Sequence, residues 1–252
     1  MYKKSLPLVL AALVAFSAPA PAAESVQPPK QHWHHQGVFG TYDKASLQRG
    51  FQVYKQVCSA CHGMKLLSYR NLAGLGYNED EIKAIAAEYT VVDGPNDDGD
   101  MFERAARPAD RFKAPFANDK AARAANGGAL PPDLSLVVKA RHNHEDYVFA
   151  LLTGYQNPPA GEEGLPGMSW NKYFAGHWIS MAPPLVEGAV SYADGTDASV
   201  EQMAKDVTQF LAWAGEPHME ERKKMGIKVM LFMFVFAGIM LAAKRKVWAA
   251  VH

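Results

Sequence analysis

Cysteine is nearly missing from this 252-residue chain: there are two, at positions 58 and 61. A disulfide framework is excluded, because the one bridge they could form would close a tiny loop and stabilise little. A zinc site built from two cysteine pairs is excluded too, since no second pair exists. Neither sign of charge is in excess, with 26 Lys+Arg against 26 Asp+Glu, so nothing points to a nucleic-acid partner. No internal repeat is found, and no run of alternating strands. Long apolar runs are confined to the two ends of the chain.

The N-terminal run has the layout of a secretory signal peptide. Lys3 and Lys4 form a positive start, Leu6 to Phe16 a short apolar core, and Ala20-Pro21-Ala22 a small-x-small cleavage pattern. Residues 1–23 are therefore expected to be removed, with the mature chain starting at Ala23 or Glu24. The run is not Arg-rich and amphipathic, which points to bacterial export rather than organelle import. At the other end, Met225 to Val247 reads as one membrane-crossing helix, flanked by Arg222-Lys223-Lys224 and Lys244-Arg245-Lys246. Export of the N-terminal part then leaves residues 24–220 outside, in the periplasm, and residues 248–252 as a cytoplasmic tail. The expected location is a bacterial inner membrane, crossed once, with membrane lipid around the anchor.

Both cysteines lie in "CSACH", residues 58–62. Thioredoxin-like dithiols use the same spacing but need a strand before it and a helix after. In C-x-x-C-H the two thiols can add to the two vinyl groups of a porphyrin, and the histidine then lies under the iron. Here Asp43 is an N-cap followed by Leu47, Phe51, Tyr54 and Val57 at helical spacing, so a helix leads into the motif. One covalent haem c on Cys58 and Cys61, with His62 on the iron, is the reading that fits.

The remaining organisation is mostly α with long loops. Ser199-Val-Glu-Gln202 forms a capping box, and Val200, Met203, Val207, Phe210, Leu211 and Ala214 line one face of a helix that Gly215 and Pro217 stop. Glu145 to Leu152, closed by Gly154, predicts a third helix. Loops rich in Pro, Gly and Asn fill 93–100, 126–133, 157–167 and 181–188. Two helices bracketing a loop-rich middle, with haem on the first, is the plan of a c-type cytochrome fold with long loop insertions, plus one C-terminal transmembrane helix.

A methionine on the open face of the iron would raise its potential and block substrates. Of the eleven methionines, Met1 goes with the signal peptide, Met64 is too near His62, Met203 sits on a core face, and Met219 to Met240 are at or in the anchor, which leaves Met101, Met168 and Met181. Met181 in "SMAPPL" is favoured by its stiff Pro-Pro loop, and Met168 in "PGMSW" stays a rival. The run "HWHH" at 32–35 reads as a solvated segment. The stretch Glu79 to Glu103 is acidic, with nine carboxylates against Lys83 and no other base before Glu103, and is read as a loop that docks partners.

Several long stretches carry a resemblance: "FGTYDKASLQRGFQVYKQVCSACH", "DGPNDDGDMF", "AARAANGGALPPDLSLVVKARH", "EDYVFALLTGY", "NKYFAGHWISMAPPL" and "DGTDASVEQMAKDVTQFLAWAGEP". Together they are similar to the cytochrome c1 family, the membrane-anchored haem subunits of quinol–cytochrome c oxidoreductase (bc1) complexes. The resemblance implies thioether bonds on Cys58 and Cys61, His62 as proximal ligand, Met181 rather than Met168 as distal ligand, and Arg123 beside a haem propionate. It implies Pro131 and Pro132 along the haem edge. It also implies partners: cytochrome b, the Rieske iron–sulfur protein as electron donor, and a soluble or tethered c-type cytochrome as acceptor, in a respiratory or photosynthetic chain. The chain would then be an enzyme subunit with no substrate site of its own. A stand-alone membrane-tethered carrier is the alternative.

Overall fold

A computed structural model describes residues 26–249; the expected signal peptide, residues 1–23, and positions 250–252 of the expected tail lie outside the described residues. The frame is a pair of crossed helices. Helix α1, Lys44–Gln56, starts where the Asp43 carboxylate accepts the Ala45 N–H at 3.1 Å, as the N-cap pattern predicts. It buries Leu47, Phe51, Val53 and Tyr54 against a later helix, Val200–Gly215, whose buried face includes Met203, Val207, Phe210 and Leu211. The two backbones meet at Gly50, where a Cβ would lie 2.1 Å from the Asp206 carbonyl oxygen, so only glycine fits. Rings fill the space beyond the crossing: Phe51 and Tyr54 lie 5.6 and 5.7 Å from Phe210, and Tyr69 lies 4.9 Å from Phe112.

One charge is buried at this crossing. Asp206 is fully buried and accepts hydrogen bonds from Ser46 Oγ at 2.8 Å, Arg49 Nε at 2.9 Å and Gln202 Nε2 at 2.9 Å. The predicted capping box is therefore half formed. Ser199 Oγ does accept the Gln202 N–H at 3.2 Å, but the Gln202 side chain turns to Asp206 instead of back to the cap.

Between the two come α2 (Glu79–Ala87), the antiparallel pair β1 (Thr90–Asp93) and β2 (Phe102–Ala105), α3 (Asp119–Ala125) and α4 (His144–Thr153). A second short pair, β3 (Ser169–Trp170) and β4 (Trp178–Ile179), follows. The crossed helix Val200–Gly215 is α5. The fold is helix-dominated as expected, with two small hairpins where only loops were read. The acidic stretch is corrected more sharply, since it is a helix and a hairpin rather than a loop. Asn78 caps α2 in a capping box with Glu81, and Lys83 pairs with Glu79 and Asp80. Glu88 pairs with Lys55, and Asp93 with Arg104. Asp97, Asp98, Asp100 and Glu103 remain without a basic partner among the described residues.

The "HWHH" run is also corrected. Trp33 and His35 are buried; Trp33 Nε1 donates to Asp146 Oδ1 at 2.8 Å, and His35 Nε2 donates to Glu145 Oε1 at 3.0 Å. Their burial seats the N-terminal segment on α4.

Helix α6, Met219–Trp248, is 30 residues long with exposed apolar side chains on every side, long and apolar enough to cross a membrane. Its residues 225–247 extend ~35 Å, against a hydrocarbon core of ~30 Å. The helix begins inside the globular domain. Met219 is buried, Glu220 accepts the Tyr42 N–H at 2.9 Å, and Lys223 Nζ donates to the carbonyls of His35 and Gly40 at 2.6 and 2.9 Å.

Candidate haem site

The end of α1 sets up the site. Its hydrogen bonding closes with Val57 N–H on Val53 O, and a single 3-10 turn, Cys58–Ala60, follows. Within that turn the N–H groups of Cys61 and His62 both donate to the Cys58 carbonyl, at 3.1 and 2.9 Å. Two thiols and one imidazole are thereby gathered on one tight turn. Both cysteines are free; Cys58 is half-buried and Cys61 exposed. Burial pushes the Cys58 thiol up to about 12, with the charge of Cys61 adding to the shift. That is the reverse of a redox dithiol, whose attacking sulfur needs a depressed pKa.

The imidazole is aimed by a residue 70 positions away. His62 Nδ1 lies 2.7 Å from the Pro132 carbonyl oxygen. A carbonyl only accepts, so Nδ1 carries the proton and Nε2 keeps a bare lone pair, the form that binds metal. Burial pushes His62 below its ordinary value, and the Pro132 carbonyl and the Asp133 charge pull the other way. The segments 62–66 and 132–135 are further zipped together. Leu134 N–H donates to Gly63 O at 2.8 Å, Lys65 N–H to Asp133 Oδ2 at 2.9 Å, and Leu66 N–H to Ser135 Oγ at 3.1 Å. Leu66, Leu130 and Leu136 remain exposed along these segments. A bare imidazole nitrogen, two free thiols and an uncovered apolar rim are a donor set and surface that fit a covalent haem.

The other expected residues fall on separate elements. Pro131 is half-buried and Pro132 exposed, on the segment that touches His62. Arg123 is in the last turn of α3, exposed, and gives one guanidinium N–H to the Gly128 carbonyl at 3.0 Å. Met181 follows β4, half-buried, and its carbonyl accepts the Tyr155 hydroxyl at 3.1 Å. Burial holds Tyr155 above its ordinary value, so that hydroxyl stays a donor. Its rival Met168 is 41% exposed, in the turn just before β3. The Pro132 carbonyl, Asp133 and Tyr155 are the contributors that sequence reasoning missed. No periodicity in the sequence links position 132 to 62 or 155 to 181.

A helix-dominated domain whose first helix ends on two thiols and a metal-ready imidazole defines a class, the c-type cytochromes. Residues 33–251 match the model of the family described as Cytochrome C1 family, and the chain belongs to that family. It is 53% identical over 237 residues to "Cytochrome c1 1, heme protein, mitochondrial" of Arabidopsis thaliana, covering 93% of this chain and 77% of that protein. It is 50% identical over 235 residues to "Cytochrome c1" of Rhodospirillum rubrum, covering 87% and 86%. It is 48% identical over 250 residues to "Cytochrome b/c1" of Bradyrhizobium diazoefficiens, covering 90% of this chain but 36% of that longer protein. Members of the family carry covalent haem c and serve electron transport as the haem subunit of the bc1 complex.

Proposed function

We propose that this protein takes one electron from a Rieske iron–sulfur protein and hands it to a soluble or tethered c-type cytochrome, as the haem subunit beside cytochrome b. The bound haem supplies reversible one-electron chemistry at iron. Cys58 and Cys61 would hold it by thioether bonds, with His62 Nε2 as the proximal ligand and Met181 as the distal one. Pro131 and Pro132 would line its edge, and Arg123 would pair with a propionate. The exported domain, residues 24–220, stands in the periplasm of a bacterial inner membrane, with residues 225–247 as the anchor and 248–252 on the cytoplasmic side. The protein binds no quinol of its own. The observation that carries this reading is the His62 Nδ1–Pro132 bond, which leaves a metal-binding nitrogen immediately after two free thiols.

The test is purification from membranes with a tag on this chain, followed by addition of quinol. A co-purifying dihaem cytochrome b, and c-type absorption that reduces with quinol and resists acid-acetone extraction, are expected. A c-type pigment that purifies without cytochrome b would make it a stand-alone tethered carrier.

Arg123 gives a second expected result. The arginine is exposed, and no carboxylate pairs with it among the described residues, so its charge is available to a propionate. Removing a positive charge beside the iron favours the oxidised, more positive state. Arg123→Ala should therefore lower the midpoint potential while the haem stays attached, and redox titration reads it directly. An unchanged potential would mean that Arg123 points to solvent.

The hairpin tip gives a third. Asn96 Oδ1 accepts the N–H groups of Asp98 and Asp100 at 3.0 and 2.8 Å, so the turn is held by Asn96 and the three aspartates around it are free to face a partner. Changing Asp97, Asp98 and Asp100 to Asn should slow transfer to a basic c-type cytochrome by about tenfold at low salt. The defect should fade as the Debye length falls from ~10 Å at 0.1 M to ~3 Å at 1 M. Stopped-flow rates equal to the parent at low ionic strength would show that these aspartates do not steer docking.

A further inference from the structure

We propose that Asp133 is a positioning residue for the proximal side of the haem: it fixes the Pro132 carbonyl under His62 and supplies a fixed negative charge behind that imidazole. This rests on His62 being the proximal ligand.

The geometry is specific. The Asp133 carboxylate spans the joint between two segments that have no regular secondary structure. Its Oδ1 accepts the Ser135 N–H at 3.0 Å, closing a turn on its own segment. Its Oδ2 accepts the Lys65 N–H at 2.9 Å, reaching across to the segment that carries His62. The residue before it presents the carbonyl that holds His62 Nδ1 at 2.7 Å. One carboxylate thus locks both the register and the facing of the chain on either side of the histidine–proline contact. No other side chain touches both segments through a charged group, and no lysine or arginine is within ion-pair distance of it among the described residues. Backbone N–H groups rather than an ion pair meet its charge, and that charge acts on the His62 imidazole.

Two separable effects follow. The straps restrain the imidazole plane, because the Nδ1–H bond follows wherever the Pro132 carbonyl goes. The charge favours the oxidised iron, which is one unit more positive than the reduced one. Asparagine at 133 removes the charge and can keep only one strap, since its amide has a single acceptor atom. Alanine removes the charge and both straps.

The experiment uses the full-length protein in its membrane complex, with Asp133→Asn and Asp133→Ala beside His62→Gln. In both Asp133 variants the haem should remain covalently attached, and the midpoint potential should rise by about tenfold in the reduction equilibrium, ~59 mV for one electron. Asp133→Ala should also broaden the low-spin electron paramagnetic resonance signal, which reports imidazole orientation, and speed amide hydrogen exchange over residues 63–66, and Asp133→Asn, which keeps one strap, should do both to a smaller extent. Potentials and signals equal to the parent in both variants, even with lowered thermal stability, would reduce Asp133 to a structural strut and overturn the proposal. His62→Gln separates the two layers. If it keeps the parent low-spin spectrum, the proximal assignment itself is wrong; if it loses that spectrum while the Asp133 variants match the parent, only the role of Asp133 is wrong.

Discussion

Replacing Met181 with leucine should drop the haem potential by on the order of 0.1 V, a fraction of the ~0.8 V range that axial ligation spans. It should also let the reduced iron bind carbon monoxide. The swap is close to volume-conserving, and such changes cost under about 1.5 kcal/mol in packing, so the loss would be one of ligation rather than of fold. The Tyr155 hydroxyl bonds to the Met181 carbonyl, which any residue at 181 retains, so the backbone of this segment stays in place. What changes is the thioether. A thioether favours reduced iron and fills the sixth position. Met168→Leu is the control: Met168 is exposed in a turn, and its loss should leave both potential and gas binding alone. Carbon monoxide binding to the Met168 variant but not to the Met181 variant would exchange the two roles.

The second large effect concerns stability. Asp206→Ala should cost about 3–5 kcal/mol, the usual result of removing one partner from a buried ion pair. For a domain of this size that is a fall in the unfolding midpoint of roughly 10 °C. Asp206 is completely buried, so the alanine leaves Ser46, Gln202 and the Nε of Arg49 without their acceptor inside the crossing of α1 and α5. Arg49 still reaches Asp194 at 2.8 Å, which limits the damage on that side. Asp206→Asn keeps an acceptor in place and should lose less. Thermal scans of the detergent-solubilised protein, followed by circular dichroism, measure both. A midpoint for the alanine variant within 1–2 °C of the parent would mean the network contributes little beyond filling space.

These two sites show what could be read from the chain and what could not. Local signals were legible: the Asp43 and Ser199 caps, the apolar spacing of α1 and α5, the all-round apolar anchor and the cysteine–histidine motif each belong to a few consecutive residues. The partner of His62 was not, because position 132 reaches it only through the folded path of the chain. Asp206 did leave a trace. It stands three residues after Met203 and one before Val207, a charge on an otherwise apolar face, and such a charge asks for a buried partner. The capping-box reading failed at Gln202 for the same reason, since that buried carboxylate competed for the amide. Helix α2 is hidden in the sequence although Asn78 and Glu81 form a capping box, because its carboxylates read as part of one acidic docking loop. Three of them lie in its first turn, where they suit the helix dipole. The hairpin Thr90–Ala105 was hidden by its shortness: four-residue strands with an exposed Val92 give little alternation to detect.

The first two turns of α6 are bonded to the domain through Glu220, Lys223 and the buried Met219. The joint is therefore a bracket rather than a tether. A flexible linker would let the domain sweep a volume above the bilayer and meet its partners by searching. A bracket instead fixes the height and bearing of the turn that carries Cys58, Cys61 and His62 to the tilt of a single helix. On the proposed function, a redox partner would meet this turn at a bearing set by the helix rather than by a search of the domain.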